Sequence, residues 1–256
     1  MRHSKIEIES RRAALVQLIR DEQFVSVGAV CERLNISEAT ARRDLKVLEA
    51  SKQIERTNGG ALAAFDREFQ SFRRRLQLNA SAKDHIAEQA LGSIEPGMSL
   101  FLDAGTTAYA VAKKLAQSPV PRISVYSNNI PVASILAEAD LRVILTGGEF
   151  LNQQSALFGT VAERVIEETT FDICFMGAEG MSNEGVWNST ADLVRFQRTV
   201  IKHSHQSCIL LDKSKLGRRT RTFLSPWKDI ARLITDATPT ELREHSVNIG
   251  QQSISS

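Results

Sequence analysis

The residues best suited to contacting a nucleic acid lie between positions 37 and 48. At about 100° per residue, Ala41, Leu45 and Leu48 fall on one face of a helix and would pack in a core. The other face would carry Ala39, Arg42, Arg43 and Lys46, with Thr40 beside them and Ser37 placed to cap the helix. Arginine can bind guanine edges through two hydrogen bonds, and lysine or threonine can hold phosphates. Because an ordinary solvated helix face carries similar charges, the surrounding elements decide between the two interpretations.

The elements before this helix favour contact with DNA. A first helix ends near Asp21 and Glu22, and Ser26 is placed to cap a second helix. The apolar residues of that second helix follow at i, i+3, i+4 and i+7: Val27, Val30, Cys31 and Leu34. Two short helices joined by a turn of about three residues form a helix-turn-helix.

A hairpin is predicted directly after the third helix, over residues 53–62. Asn58-Gly59 is a dipeptide typical of tight hairpin turns, because both central residues of such a turn need positive φ. The hairpin would form a wing, which makes Arg56 and Asn58 candidate DNA contacts. A plain surface hairpin is the alternative.

A second set of candidate residues lies in five loops rich in small and polar residues. The residues expected to contact a ligand there are Asp103, Gly105, Thr106, Thr107, Asn128, Asn129, Gly147, Gly148, Glu149, Gly177, Glu179 and Lys213. A glycine before a helix allows close approach, and the free N–H groups of the helix suit a phosphate. Lys213 would supply a cation, and the carboxylates would bind sugar hydroxyls. Any one of these loops could instead cap a helix or turn the chain.

The elements that must position these loops alternate between short apolar runs and helical patterns. The predicted strands are 99–102, 123–126, 142–145, 172–176, 208–211 and 232–234. Predicted helices include 108–115, 132–138, 161–168 and 193–202. Alternation of this kind indicates a mostly parallel sheet with helices on both faces, and ligands bind such sheets at the carboxyl ends of the strands.

A connector is predicted over residues 64–80, between a DNA-binding domain at 8–63 and an α/β domain at 81–248. It is charged, has interspersed apolar residues and contains no glycine or proline, so it is expected to be partly helical. Its three consecutive arginines, 73–75, would either reach DNA phosphates or form a solvated face.

Composition separates the same two parts and excludes several classes of protein. The 256 residues carry a net charge of +2, but residues 1–80 contribute +4 and residues 81–256 contribute −2. The longest uncharged stretch, 123–137, is too short for a membrane span, and early charges argue against a signal peptide. The three cysteines and five histidines show no ligand spacing. We therefore expect a cytoplasmic protein with reduced thiols, no metal and no cofactor.

Two regions of the sequence resemble a known family. Ser-Glu-Ala-Thr-Ala-Arg-Arg-Asp-Leu at 37–45 and Arg-Thr-Asn-Gly-Gly-Ala at 56–61 resemble the DeoR-type winged helix-turn-helix. Residues 80–250 resemble the DeoR sensor domain, notably at Asp103-Ala-Gly-Thr-Thr, Phe158-Gly159 and Asp212-Lys-Ser-Lys-Leu-Gly. The resemblance implies an α/β protein in which an N-terminal winged helix-turn-helix precedes a mostly parallel α/β sensor domain, related to ribose-5-phosphate isomerase and the CoA transferases.

These features together predict a bacterial transcriptional regulator and not an enzyme. The family resemblance implies a repressor of a carbohydrate-catabolism operon whose affinity for double-stranded operator DNA changes when a phosphorylated sugar binds. Repeated half-sites would require a homo-oligomer, either dimer or tetramer. Two alternatives remain open. One is an isomerase-type enzyme with Glu179 or Glu149 as a base, and the other is an architectural DNA-binding protein without an effector.

Overall fold

The computed structural model describes residues 5–22, 24–51, 54–57, 60–63, 72–151, 154–247 and 254–255. The chain divides into two compact units, residues 1–70 and residues 71–256. The connector bounds at 64 and 80 remain predictions. Within the described ranges, no helix has both the length and the apolar character that crossing a membrane requires.

The first unit is a helix-turn-helix followed by a hairpin. Its elements are α1 (Lys5–Glu22), β1 (Phe24–Ser26), α2 (Val27–Leu34), α3 (Glu38–Ala50), β2 (Ile54–Thr57) and β3 (Gly60–Ala63). The strands form an antiparallel sheet in the order β1-β3-β2. Pairing of Thr57 with Gly60 leaves two residues for the turn, as the Asn58-Gly59 dipeptide predicts. The two turn residues themselves, Asn58 and Gly59, lie outside the described residues. The three helices pack around Leu15, Val30 and Leu45, which are fully buried.

The second unit is built on a seven-stranded parallel sheet. In chain order its elements are α4 (Phe72–Gln77), α5 (Ala80–Leu91), β4 (Ser99–Leu102), α6 (Thr106–Gln117), β5 (Ser124–Ser127), α7 (Ile130–Glu138), β6 (Arg142–Leu145), β7 (Glu149–Leu151), β8 (Ala156–Phe158), α8 (Thr160–Glu167), β9 (Phe171–Gly177), β10 (Gly180–Ser182), β11 (Gly185–Asn188), α9 (Ala191–Lys202), β12 (Ser204–Leu210), β13 (Thr222–Pro226), β14 (Arg232–Ile234), α10 (Pro239–Glu244) and β15 (Ile254–Ser255). The order in the sheet is β15-β14-β12-β9-β4-β5-β6.

Helices cover both faces of this sheet, as the alternating pattern predicts. On one face, residues of α5, α6 and α7 such as Ile86, Leu115 and Leu136 pack against the strands. On the other face, Ile166 of α8 and Phe196 of α9 belong to a second core cluster. Successive residues of a strand point to opposite faces, so the central strands β4, β9, β12 and β14 each contribute to both clusters.

Two antiparallel additions were not predicted from the sequence. Strands β7 and β8 form a hairpin, and β10, β11 and β13 form a three-stranded sheet. Two 3₁₀ turns, Lys213–Lys215 and Trp227–Asp229, also fall in this half of the chain. The first of them determines which lysine of its loop approaches the candidate ligand site.

Candidate functional site

The surface of α3 has the composition that the sequence predicts for a recognition helix. The Ser37 hydroxyl caps the helix by accepting a hydrogen bond from the Thr40 amide N, at 3.3 Å. Ala41 and Leu45 are fully buried and Leu48 is 3 % exposed. The opposite side is exposed and consists of Ala39, Arg42, Arg43 and Lys46. The helix therefore presents three cationic side chains on one face, as major-groove contacts require.

A buried carboxylate fixes α3 against α1. Asp44 is 1 % exposed, and its two oxygens accept hydrogen bonds from Arg11 Nε and Arg12 Nε, each at 2.8 Å. A buried carboxylate needs partners of this kind, because an unpaired charge in a core is strongly destabilising. The pair of arginines thus sets the orientation in which Arg43 and its neighbours are exposed.

The charge of the recognition helix is partly compensated within the chain. Arg42 Nη2 contacts Glu38 Oε1 at 2.6 Å, and both side chains are more than half exposed. Such a surface pair has a small net energy, so a phosphate or base edge can replace the carboxylate. In the wing, Arg56 lies in β2, where only its backbone is described, and Asn58 lies outside the described residues.

In the second unit, a buried network surrounds the carboxylate at the end of β4. Asp103 is 3 % exposed and accepts a hydrogen bond from Gln197 Nε2 at 2.8 Å. The same amide nitrogen donates to the Gly177 carbonyl at 2.8 Å, which joins β4, β9 and α9 at one point. Burial raises the pKa of Asp103, although hydrogen bonds and the positive charge of Arg75 oppose that effect.

Ionisable side chains of both signs lie near Asp103. Burial raises the pKa of Glu179, while Lys215 and Arg75 oppose the shift electrostatically. Burial in turn lowers the pKa of Lys215 and of Arg75, against the attraction of the neighbouring carboxylates. Four ionisable groups from four segments thus lie within electrostatic reach of one another in a partly dehydrated place. Lys83 Nζ closes the cluster by donating to the carbonyls of Arg75 and Leu78.

Two features beside this cluster point to a ligand. Asn128 is 0 % exposed, yet neither its amide oxygen nor its amide nitrogen has a partner among the described residues. Leu102 pairs with Ser127 in the parallel sheet, so Asn128 and Asp103 follow side by side at the strand ends. In addition, α6 starts after Gly105 without a side-chain cap. Because buried polar atoms are rarely left unpaired, these groups are available to a polar molecule.

The predicted ligand residues are thus brought together only in part. Asp103, Gly105, Gly177 and Glu179 lie at one place, and a Cβ on Gly105 would be 3.4 Å from the Gly177 Cα. Thr106 and Thr107 begin α6 and are 7 % exposed. Asn128 lies beside Asp103 at the neighbouring strand end. The other predicted residues, Asn129, Gly147, Gly148, Glu149 and Lys213, each have a contact or an exposed position that separates them from this group.

The loop at 128–129 divides its two asparagines between different roles. Asn129 Oδ1 caps α7 by accepting from the Val132 amide N at 3.0 Å, and Asn129 Nδ2 donates to the backbone carbonyls of Gln154 and Ser155. Its side chain is therefore used inside the protein. Asn128, by contrast, has no hydrogen-bond partner for either polar side-chain atom in the described part of the chain.

The loop after β6 packs against β8 and α8 instead of the charged cluster around Asp103. Gly148 has φ 113°, and a Cβ there would lie 2.2 Å from the Phe158 carbonyl oxygen. Gly147 has φ 73° and faces Val161. Glu149 is exposed, and its carboxylate makes no ion pair with the described residues. Gly147 and Gly148 thus have a structural explanation that requires no ligand, and a ligand contact of Glu149 stays a prediction.

The side chain of Lys213 pairs with a carboxylate outside the cluster around Asp103, and its predicted role as the cation that binds a ligand stays a prediction. Lys213 is half exposed, and its Nζ contacts Glu241 Oε1 at 3.2 Å. Its backbone N donates to Asp236. The 3₁₀ turn instead carries the next lysine, Lys215, to within electrostatic reach of Glu179.

Sequence reasoning also missed several residues of the cluster. Arg75 was one of three arginines assigned to DNA phosphates or solvent, and the structure places it beside Asp103 and Glu179. Lys83 and Gln197 are single polar residues in helices, at positions where sequence shows no motif. For Lys215, the repeated lysine of the Asp212-Lys-Ser-Lys segment was an available signal. Among the described residues no group of histidine, cysteine, aspartate and glutamate is arranged to hold a metal ion.

Comparisons with known proteins agree with both halves of this description. The model of the DeoR-like helix-turn-helix domain matches residues 11–66, and that of the DeoR C terminal sensor domain matches residues 78–237. The HTH-type transcriptional regulator GlpR of Haloferax volcanii is 34% identical over 231 residues, covering 89% of each chain. The glycerol-3-phosphate regulon repressor of Escherichia coli is 29% identical over 231 residues, covering 90% of this chain and 91% of the other.

Among solved structures, ribose 5-phosphate isomerase A of Methanocaldococcus jannaschii superposes with a TM-score of 0.40 at 15% identity, over 54% of each chain. That degree of similarity carries no argument about chemistry. The two domain models, together with the similarity to full-length regulators, show that the chain belongs to the DeoR family of DNA-binding transcriptional regulators.

Proposed function

We propose that this regulator represses a carbohydrate-catabolism operon and that a phosphorylated sugar or related metabolite controls its binding to double-stranded operator DNA. The observation that carries the proposal is the unpaired, fully buried amide of Asn128 beside Asp103, close to two cations and the uncapped start of α6. Those groups match the chemistry of a sugar phosphate, which combines a dianion with several hydroxyls. The relative in Escherichia coli is named for such a metabolite.

Each part of the ligand has a matching part of the site. The phosphate would be held by Arg75, Lys215 and the free N–H groups at the start of α6, because cations and helix N-termini both bind anions. The hydroxyls would bind Asp103, Glu179 and the Asn128 amide. This assignment replaces Lys213 with Lys215 and adds Arg75.

The same residues offer a route from ligand to connector. Arg75 belongs to α4, and its charge is attracted to Glu179 and Asp103. A bound phosphate would compete with those carboxylates for the guanidinium. Two further contacts of α4 are the Phe72 ring against Tyr109, with centroids 5.6 Å apart, and the hydrogen bond from Lys83 Nζ to the Arg75 carbonyl. Lys83 Nζ also donates to the carbonyl of Leu78, just after the helix. A ligand changes DNA affinity only if it binds one conformation of the protein more tightly than another. We expect the two conformations to differ at Arg75.

A fluorescence anisotropy titration of DNA from the protein's own promoter region would test this function. It would be run with and without glycerol 3-phosphate, ribose 5-phosphate and inorganic phosphate, at a fixed salt concentration because phosphate contacts are salt-dependent. We expect Arg42→Ala to weaken DNA binding and keep ligand binding, and Asp103→Asn to weaken ligand binding and keep DNA binding. Failure to bind any genomic fragment at low salt would refute the DNA-binding proposal, and no response to any sugar phosphate would refute the effector class.

A further inference from the structure

An exposed apolar surface lies at one edge of the second unit. Of the seven large apolar side chains that the described residues leave exposed, five lie there, each between 40 % and 60 % exposed. We call these five the edge patch: Ile130, Leu145, Phe150, Leu151 and Val161. Single exposed apolar residues are ordinary on a protein surface, but a contiguous group marks an interaction site.

Backbone contacts show that the edge patch is contiguous. The Ile130 amide N donates to the Ser155 carbonyl at 3.1 Å, at the turn of the β7-β8 hairpin. Leu151 pairs with Ala156 just beyond that turn. Gly147 lies two residues after Leu145, and a Cβ placed on it would be 3.5 Å from Val161 Cγ1. The starts of α7 and α8 and the hairpin therefore surround the end of β6.

The edge patch adjoins a strand with one free side. Among the described residues β6 pairs only with β5, so its other side presents unpaired N–H and C=O groups. Three of its four residues are apolar, and none is fully buried. Natural edge strands of this composition are usually covered, because they can otherwise pair with another chain.

The charges beside this strand are of opposite sign at its two ends. Arg142 is the first residue of β6, and Glu149 follows the last residue after a short turn. Both are exposed, and neither side chain forms an ion pair with the described residues. Asp140 is a second carboxylate, in the turn before Arg142. In an antiparallel pair of identical strands each end lies next to the opposite end of the partner, so Arg142 and Glu149 would meet twice.

We propose that β6 pairs antiparallel with β6 of a second copy of this chain across a twofold axis, with the edge patch buried in the contact. The reciprocal positions of Arg142 and Glu149 favour a second copy over an unrelated partner, because a twofold contact must be complementary to itself. The contact also supplies the two recognition helices that paired half-sites need. It does not depend on which ligand the sensor binds.

The molar mass of the full chain, measured by light scattering and sedimentation, tests this contact. Leu145→Asp and Phe150→Asp should halve the mass or reduce a tetramer to a dimer. Affinity for DNA carrying two half-sites should fall roughly 10²- to 10⁴-fold, as bivalent binding is lost. Leu78→Asp is the matched control, because Leu78 is 48 % exposed and lies outside the edge patch. Circular dichroism would verify that each variant remains folded.

Exchange of the two charges tests the register. Arg142→Glu alone should weaken association, and the double variant Arg142→Glu, Glu149→Arg should restore it. Lys202→Glu, on an exposed lysine of α9, controls for the change in net charge. A monomeric wild-type chain, or patch variants with an unchanged mass, would refute the interface. Failure of the exchange to restore association would refute the antiparallel register. Unchanged glycerol 3-phosphate binding in these variants would separate either failure from failure of the effector proposal.

Discussion

Replacing Lys215 with alanine should weaken the binding of a sugar phosphate, whereas the same change at Lys213 should leave it nearly unchanged. Lys215 lies beside Glu179 and Asp212, in a place dehydrated enough to lower its pKa. A hydrogen bond from a charged donor to an anion there contributes about 1.5–3 kcal/mol, so its loss should raise Kd roughly 10- to 150-fold.

Lys213 provides the matched comparison within the same 3₁₀ turn. Its side chain is 55 % exposed, and its partner Glu241 is also partly exposed. Such a pair contributes about 0–1 kcal/mol to stability and nothing to a ligand bound at Asp103. Its removal should therefore change Kd less than about twofold, since 1.4 kcal/mol is needed for a tenfold effect.

Isothermal titration calorimetry with glycerol 3-phosphate and ribose 5-phosphate would measure both variants. Lys215→Met is a useful third variant, because it keeps most of the apolar stem and removes only the charge. If Lys213→Ala weakened binding and Lys215→Ala did not, the assignment of the cation would be wrong. If neither variant had an effect on a ligand that the wild type binds, the site would lie elsewhere in the sensor.

Three further perturbations test other parts of the structure. Arg42→Ala should weaken operator binding by about 1–3 kcal/mol. Glu38→Gln should leave binding equal or tighter, because it releases Arg42. Tighter binding by Arg42→Ala in an anisotropy assay would contradict this. Asp44→Asn should destabilise the first unit by roughly 2–3 kcal/mol. This is below the usual cost of breaking a buried pair, because the two arginine partners are partly exposed. Unchanged hydrogen exchange in α3 would contradict the expected destabilisation. Burial lowers the pKa of Lys83 to about 8, so ligand affinity should fall as pH rises through that value, and Lys83→Arg should remove the dependence. Since the unfolded state keeps this proton to higher pH, the contribution of Lys83 to the free energy of unfolding should rise between about pH 8 and the usual lysine pKa.

The elements that sequence patterns predict well are those with long or strongly apolar signals. The bounds of β4, β6 and β14 agree with the prediction, and α3 has its apolar and basic faces as expected. The antiparallel strands β10, β11 and β13 were missed. Each is only three to five residues long, and their pairing joins residues up to about forty positions apart. Strands of that length are too short to show a clear alternation of apolar and polar residues in the sequence.

The loops of the candidate site were predictable, but the side chains within them were not. A parallel sheet brings the ends of its strands to one edge, which explains why Asp103, Gly177 and Glu179 lie together. The predictions at Asn129 and Gly148 did not consider the neighbouring β7-β8 hairpin. Two of its carbonyls accept hydrogen bonds from Asn129, and a third lies close against Gly148. Arg75 was predictable only as a member of a charged run, because its carboxylate neighbours are 28 and 104 residues away in sequence.

The sequence by itself determined the class of protein, because periodicity, capping residues and paired arginines are local and survive without tertiary contacts. It determined that α3 is amphipathic, that a parallel sheet follows, and that polar loops end its strands. Only the tertiary structure decided which charges meet, since burial and pairing depend on segments distant in sequence. It brought Lys215 and Arg75 within electrostatic reach of Glu179, paired Lys213 with Glu241, and buried Asp44 between two arginines. Among the described strands, it left one side of β6 unpaired. A side chain's role follows from its dielectric surroundings and neighbours, and those exist only in the folded chain.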